Sequence, residues 1–217
     1  MVQKEPRRRP GRPRGYDPET ALARATDAFW SAGYAATSLD DLCEATGMNR
    51  PSLYGAFGDK RALYLETLER YTDAGCRAME RALDYERPIA EALANLYAAA
   101  LALYFSGGDA ARGCFLIGTA ATEAVANAEV RDLLGDALRS FDACFEARLR
   151  HAQERGELAA DTDPASLAKI ASAVLHTLAL RSRAGDSRAS LRATADAAVR
   201  MICGGGASRR RKRKRSR

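Results

Sequence analysis

Five cysteines and two histidines are the residues of this 217-residue chain best suited to thiol or metal chemistry. Cys43, Cys76, Cys114, Cys144 and Cys203 are odd in number, widely spaced and without a CxxC pair. Such spacing is neither a disulfide framework nor a zinc motif, and His151 and His176 are the only imidazoles available to complete a donor set. The cysteines therefore read as reduced packing residues, with a thiol sensor or a zinc site as the rarer alternatives. The sequence contains no phosphate-binding glycine loop, GxSxG, HExxH or convergent Cys/His/Asp set. An enzyme is not expected, nor is a cofactor or a metal.

The remaining chemistry is electrostatic. Residues 1–15 hold six Lys/Arg against one Glu, and residues 209–217 hold eight Lys/Arg. The formal net charge is only +6, so the chain between these ends is acidic. Basic ends on an acidic globule suit contact with a polyanion, or else are solvated tails that aid solubility. A hydrophobic content of 47% is enough for one large or two small domains. No run of eighteen uncharged apolar residues exists, and the basic, Pro-rich start lacks the apolar core of a signal peptide. A soluble, cytoplasmic protein with no membrane partner is expected.

The elements that position these groups read as helices throughout, because alternating Val/Ile/Thr runs and NG or DG hairpin turns are missing. Asp17 and Pro18 start the first helix, Leu22, Ala25, Phe29 and Ala32 recur at helical spacing, and Gly33 stops it. Thr37 or Ser38 caps a second, short helix whose Asp40 and Asp41 suit a positive helix N-terminus, and Gly47 ends it. In "MNRPSLYGAFGDK", residues 48–60, Asn49 is a cap, Pro51 falls where a missing N–H costs nothing, and Leu53 and Phe57 form an inward face. A long fourth helix follows over about 60–84, then further helices over about 88–106, 112–126, 128–155, 164–183 and 186–202. The second and third helices, joined by a Gly-containing turn, have the layout of a helix-turn-helix, whose last helix lies in the DNA major groove. Periodicity alone is equally compatible with an ordinary αα-hairpin.

"TSLDDLCEATGMNRPSLYGAFGDKRALYLETL", residues 37–68, resembles the N-terminal domain of the tetracycline-repressor (TetR) family of bacterial transcription regulators. The resemblance rests on Thr37, Gly47, Asn49, the triplet Ser52-Leu53-Tyr54, Phe57, the pair Asp59-Lys60 and Leu63-Tyr64. It implies an all-α protein: a three-helix helix-turn-helix domain joined by a long helix to a helical ligand-binding and dimerisation domain. The divisions are 1–15, a basic arm; 16–63, DNA binding; 64–203, effector binding and dimerisation; and 204–217, a Gly linker with a basic tail. In this reading Thr37 and Ser38, with the amides of the second helix, bond one phosphate, Tyr54 a second and Lys60 a third. Arg50 is the candidate base reader, because its forked donors match guanine O6 and N7, and Ser52 reaches a neighbouring base edge. Asn49 and Pro51 at the start of the reading helix, and Gly55 on its outer face, complete the expected DNA-binding set. Gly55 and Ala56 stand where bulkier residues are commoner and leave the operator sequence open.

Three further expectations follow, the first from the basic arm itself and the other two from the family resemblance. Arg12 within and Arg14 next to a Gly-Arg-Pro core resemble an AT-hook, which implies an arm that orders over the minor groove. Tyr97, Leu101, Tyr104, Phe115, Thr119, Glu123, Phe141, Phe145 and His176 lie on the helices that line the effector pocket in relatives, and their mainly apolar character suits a lipophilic or aromatic effector. Leu167, Ile170, Val174 and Leu178, with Leu191, Ala195 and Val199, are expected at a homodimer interface built from the last two helices, which in turn implies a palindromic operator. The competing class is an architectural protein that binds DNA without sequence preference through its basic tails.

Overall fold

A computed structural model describes residues 17–107 and 111–215, with side-chain packing taken to Gly204. Among the described residues every regular element is helical, and no helix is long and apolar enough to cross a membrane. The helix starts are set by local caps. Asp17 accepts from the amides of Glu19 and Thr20 at the head of α1 (Pro18–Ala32). Ser38 and Asp41 form a reciprocal capping box on α2 (Leu39–Thr46), which Gly47 closes in the left-handed region at φ 69°. Asn49 accepts from Ser52 N at 2.9 Å to start α3 (Arg50–Phe57), with Pro51 in its first turn. Asp59 caps α4 (Lys60–Ala82).

The body comprises α5 (Ile89–Tyr104), α6 (Ala121–Glu123), α7 (Ala128–Glu154), α8 (Pro164–Arg183) and α9 (Arg188–Arg215). α7 packs most extensively on α8, α5 on α9, and α4 on both α1 and α7. The buried apolar residues form one continuous cluster, from Ala21 in α1 to Ile202 in α9.

Two expectations are corrected. The helix expected over 112–126 is not continuous: the chain runs irregularly to a π-helical turn at Leu116–Ala120 and then the three residues of α6. The cause is a close approach to α8. Gly113 sits at φ 65°, and a Cβ there would lie 2.8 Å from the carbonyl oxygen of Ala179. The amides of Arg112 and Gly113 both donate to Tyr104 O, which turns the chain back on α5. At the other end, α9 continues through Gly204–Gly206, where a linker was expected, to Arg215. A helix already nucleated by its packed half gains a backbone hydrogen bond for each added residue, and Arg and Lys are good helix formers favoured near a C-terminus.

Candidate nucleic-acid interface

The reading helix is held from below and open above. Leu53 and Phe57 are buried, α3 packing on α2 and α4, whereas Arg50, Pro51, Tyr54 and Gly55 are exposed and Ser52 is partly so. At Gly55 an added Cβ would meet nothing within 4 Å, so this part of the face is bare backbone. A helix surface with no side chain can approach the edge of a base pair more closely than any substituted one.

Arg50 does not hang free. Its Nε and Nη2 donate to the Asp40 carboxylate at 2.8–3.1 Å, tying the start of α3 to the first turn of α2. Both partners are more than half exposed, so the pair is worth little in stability. Sequence reasoning gave Asp40 only a helix-dipole role. The complementary charges ten residues apart across the turn were the available signal.

The expected phosphate contacts separate into two groups. Thr37 is corrected: it is buried, and its hydroxyl donates to Gly33 O at 2.7 Å, so it braces the α1–α2 turn. Ser38 is exposed, accepts from Asp41 N at 3.1 Å and keeps its own hydroxyl hydrogen for an incoming oxygen. Asn49 is occupied as the α3 cap. Lys60 opens α4, where a cation opposes the helix dipole, and its ammonium lies 4.4 Å from the centre of the Tyr34 ring. A cation kept in that unfavourable place is well positioned for an anion. Arg12 and Arg14 lie outside the described residues.

The comparisons with known proteins agree with this geometry. The family described as "Bacterial regulatory proteins, tetR family" matches residues 21–67, and "Tetracyclin repressor-like, C-terminal domain" matches residues 90–198. The HTH-type transcriptional repressor ComR of Escherichia coli (strain K12) is 32% identical over 191 residues, covering 88% of this chain and 91% of its own. The chain belongs to the tetracycline-repressor family.

Other members of the family support the same assignment. BdcR of Escherichia coli (strain K12), also an HTH-type transcriptional repressor, is 35% identical over 117 residues, or 54% of this chain and 59% of its own. A solved complex of the TetR-family regulator CifR, a cysteine mutant with 26-base-pair operator DNA, superposes with a TM-score of 0.75 at 36% identity, covering 87% of this chain and 98% of that one. This TetR-family chain is therefore an all-α transcriptional regulator with a DNA-binding helix-turn-helix.

Most of the residues expected around an effector are buried, and Glu123 and His176 are partly so. Tyr97, Leu101, Tyr104, Phe115, Thr119, Phe141 and Phe145 are all buried, and they pack as core. Tyr97 OH donates to Ala171 O at 3.0 Å, and Tyr64 OH donates to Thr119 Oγ1 at 2.7 Å while Thr119 donates to Phe115 O. Burial pushes the Tyr64 phenol up to about 12, against the lowering by the Thr119 hydrogen bond. Glu123 is only partly buried, in α6. The ring Nε2 of His176 is enclosed without a hydrogen-bond partner, and burial lowers that imidazole's proton affinity. Two open concavities, of about 250 and 480 Å³, flank the contact between α4 and α7, and none of these nine residues lines either one.

The same aromatic packing joins the reading head to the body. Phe29, Trp30, Tyr34, Tyr64, Tyr71 and Phe115 pack mostly edge-to-face, with neighbouring ring centres 4.8–6.1 Å apart. Trp30 Nε1 donates to Arg112 O at 3.2 Å, and the Arg112 guanidinium covers the Trp30 ring while pairing with Asp27 at 2.7 Å. Arg112 was not singled out from sequence, because its partners lie more than eighty residues away.

The expected dimer residues also divide. Ile170 is 53% exposed, and Leu167 and Val174 are partly buried. Leu178, Leu191, Ala195 and Val199 are buried within the chain, where they fasten α8 and α9 to the core. Leu180 and Met201, not anticipated, are exposed apolar side chains on the same two helices.

Proposed function

We propose that this protein represses transcription as a homodimer that reads a palindromic operator through α3 and is released by a small lipophilic or aromatic effector. The observation that carries the reading is the outer face of α3, where Arg50, Ser52, Tyr54 and Gly55 lie over the buried anchors Leu53 and Phe57. Arg50 and Ser52 read base edges; Ser38, Tyr54 and Lys60 hold phosphates; Arg12 and Arg14 add a minor-groove arm. Ile170, Leu180 and Met201 are exposed apolar side chains on α8 and α9 that a two-fold partner would cover, and two-fold heads read two-fold sites. Support for DNA as the partner comes also from the operator complex of CifR.

An effector entering among Tyr64, Phe115 and Thr119 has to part side chains that are in contact here. Binding therefore favours a second arrangement of α4, and with it a different spacing of the heads. In this reading the protein works on DNA in the bacterial cytoplasm.

The test is footprinting and gel retardation on the DNA upstream of its own gene, in excess nonspecific competitor. Protection of two symmetric half-sites is expected, with a dimer in sedimentation at micromolar concentration. Equal affinity for all duplexes would mark an architectural protein instead, and a monomer would remove the two-fold model.

A further inference from the structure

The two basic ends of the chain leave the molecule at opposite poles. Residues 1–15 precede α1 and so join the reading head. Residues 209–217, with eight Lys/Arg, extend from α9, and the course of the body helices fixes where that is. The head meets the body through Trp30, whose Nε1 donates to Arg112 O, and through Arg61 at the start of α4, which pairs with Glu129 in the first turn of α7 at 3.3 Å. α8 ends at this pole too: Gly113 abuts Ala179 O, and a Cβ on Gly118 would lie 2.6 Å from the guanidinium of Arg183.

The far pole gathers the opposite ends. Arg148 Nε, late in α7, donates at 3.3 Å to Asp84 O just past α4, and Glu157, beyond α7, accepts at 2.6 Å from Ile89 N at the start of α5. Gln153 Nε2 donates to Thr162 O at 2.8 Å, which brings the entry of α8 to the same place. α9 follows α8 after the short connection 184–187 and packs along it, so it runs back from the head pole to the far one. Burial of Leu191, Ala195, Val199 and Ile202 holds it on that course. By Gly204 it has covered about 24 Å, against about 33 Å for α4 between the poles. From Gly204 to Arg209 the chain spans at most about 17 Å, and along the helix it instead continues about 16 Å further to Arg215. The charged run therefore begins on the side away from Arg50 and Tyr54. It also lies past residue 198, where the match to the family's C-terminal domain ends.

We infer that the C-terminal basic segment holds a second DNA duplex, so that a protein seated on its operator bridges two stretches of DNA. The bridge rests on the DNA-binding function proposed above; the affinity of the segment for duplex does not. Charge density is the warrant. A duplex carries one negative charge per about 1.7 Å of axis, and a helix with a basic residue at nearly every position carries positive charge at a comparable spacing, about 1.5 Å per residue. Release of condensed counterions drives such contacts without regard to sequence. Residues 208–217 include no apolar and no aromatic residue. The segment thus lacks both the apolar face that seats a basic helix in a membrane surface and the rings on which single-stranded bases stack. The chain between the basic ends is acidic and repels phosphates, which confines the second duplex to the tail.

The test uses the full-length protein and two duplexes. Operator duplex is fixed to beads, protein is bound and the excess washed away, and a labelled duplex of unrelated sequence is added. Retention of the labelled duplex is expected, weakening by about 0.9 in log K per unit of log salt for each phosphate neutralised. Deleting residues 207–217, or making Arg209→Gln, Arg210→Gln, Arg211→Gln and Lys212→Gln together, should lower that retention by about tenfold or more and change affinity for the operator alone by less than about threefold. The Gln variant keeps chain length and helix propensity, which covers the case of a truncation that unsettles α9. Retention that survives both changes overturns the assignment to the tail. An equal loss of operator affinity and of retention places the tail on the operator itself and overturns the bridge, as does failure to retain any second duplex. Tail-dependent sedimentation with phosphatidylserine vesicles, at a salt concentration where the labelled duplex is not retained, would make the partner a lipid surface and overturn the inference as well. A protein that selects no operator sequence counts against the proposed function alone, because anisotropy titration of the unrelated duplex with full-length and Gln-substituted protein still decides whether the tail binds DNA.

Discussion

Gly55 in α3 and Gly113 in the segment between α5 and the π turn lack a side chain for opposite reasons. Around Gly55 there is open space, and the bare backbone is an outward surface. Around Gly113 the carbonyl of Ala179 leaves no room for a Cβ, and the positive φ excludes one on backbone grounds as well. The first region has a face left free for a partner, whereas the second is filled from within. A residue type read alone could not separate them; the neighbours decide.

The contrast can be broken most severely at Gly113. Gly113→Ala should destabilise the fold by about 2–4 kcal/mol, from left-handed backbone strain plus a clash that the backbone of α8 cannot easily relieve. The check is the urea midpoint, and a change below about 0.5 kcal/mol would show that this segment is as tolerant as a surface loop. On the reading face the expected effect is in binding. Arg50→Ala should weaken the cognate operator by about ten- to a hundredfold and leave random duplex almost unaffected, as measured by competition titration. A uniform loss across sequences would make Arg50 a phosphate ligand. Tyr64→Phe deletes the donor to Thr119 and should cost about 1 kcal/mol of unfolding free energy, since Thr119 keeps its bond to Phe115 O.

Gly55→Ala should leave stability unchanged or raise it by up to about 1 kcal/mol through helix propensity, while shifting base preference at one operator position. Loss of stability there would show that the face is not free. Removing residues 1–14 should flatten the dependence of log K on log salt by roughly 0.9 for each phosphate that the arm neutralises, and an unchanged slope would exclude the arm.

What could be read directly from the chain was what local chemistry controls. The starts at Asp17-Pro18, Asn49 and Asp163-Pro164 match the structure because a cap and a first-turn proline act within three residues. The π turn escaped notice because its cause is Ala179 in α8, far along the chain from Gly113. Thr37 was misplaced for a subtler reason: either of two adjacent hydroxyls could cap α2, and burial of one decided the matter. The last two helices carry apolar residues on more than one side, and periodicity cannot say which side meets the chain's own core. Leu178 and Leu191 turned inward, while Ile170 and Met201 turned out.

The continuous cluster from Ala21 to Ile202, with Trp30 anchored on Arg112, bears on what a regulatory event can be in this protein. Head and body are two functional regions of one cooperative unit, so they should melt together in a single transition. Anything that tightens or loosens the packing around Phe115 is then felt thermodynamically at α3, without a dedicated path between them: the free energy of the body is already part of the free energy of the reading surface.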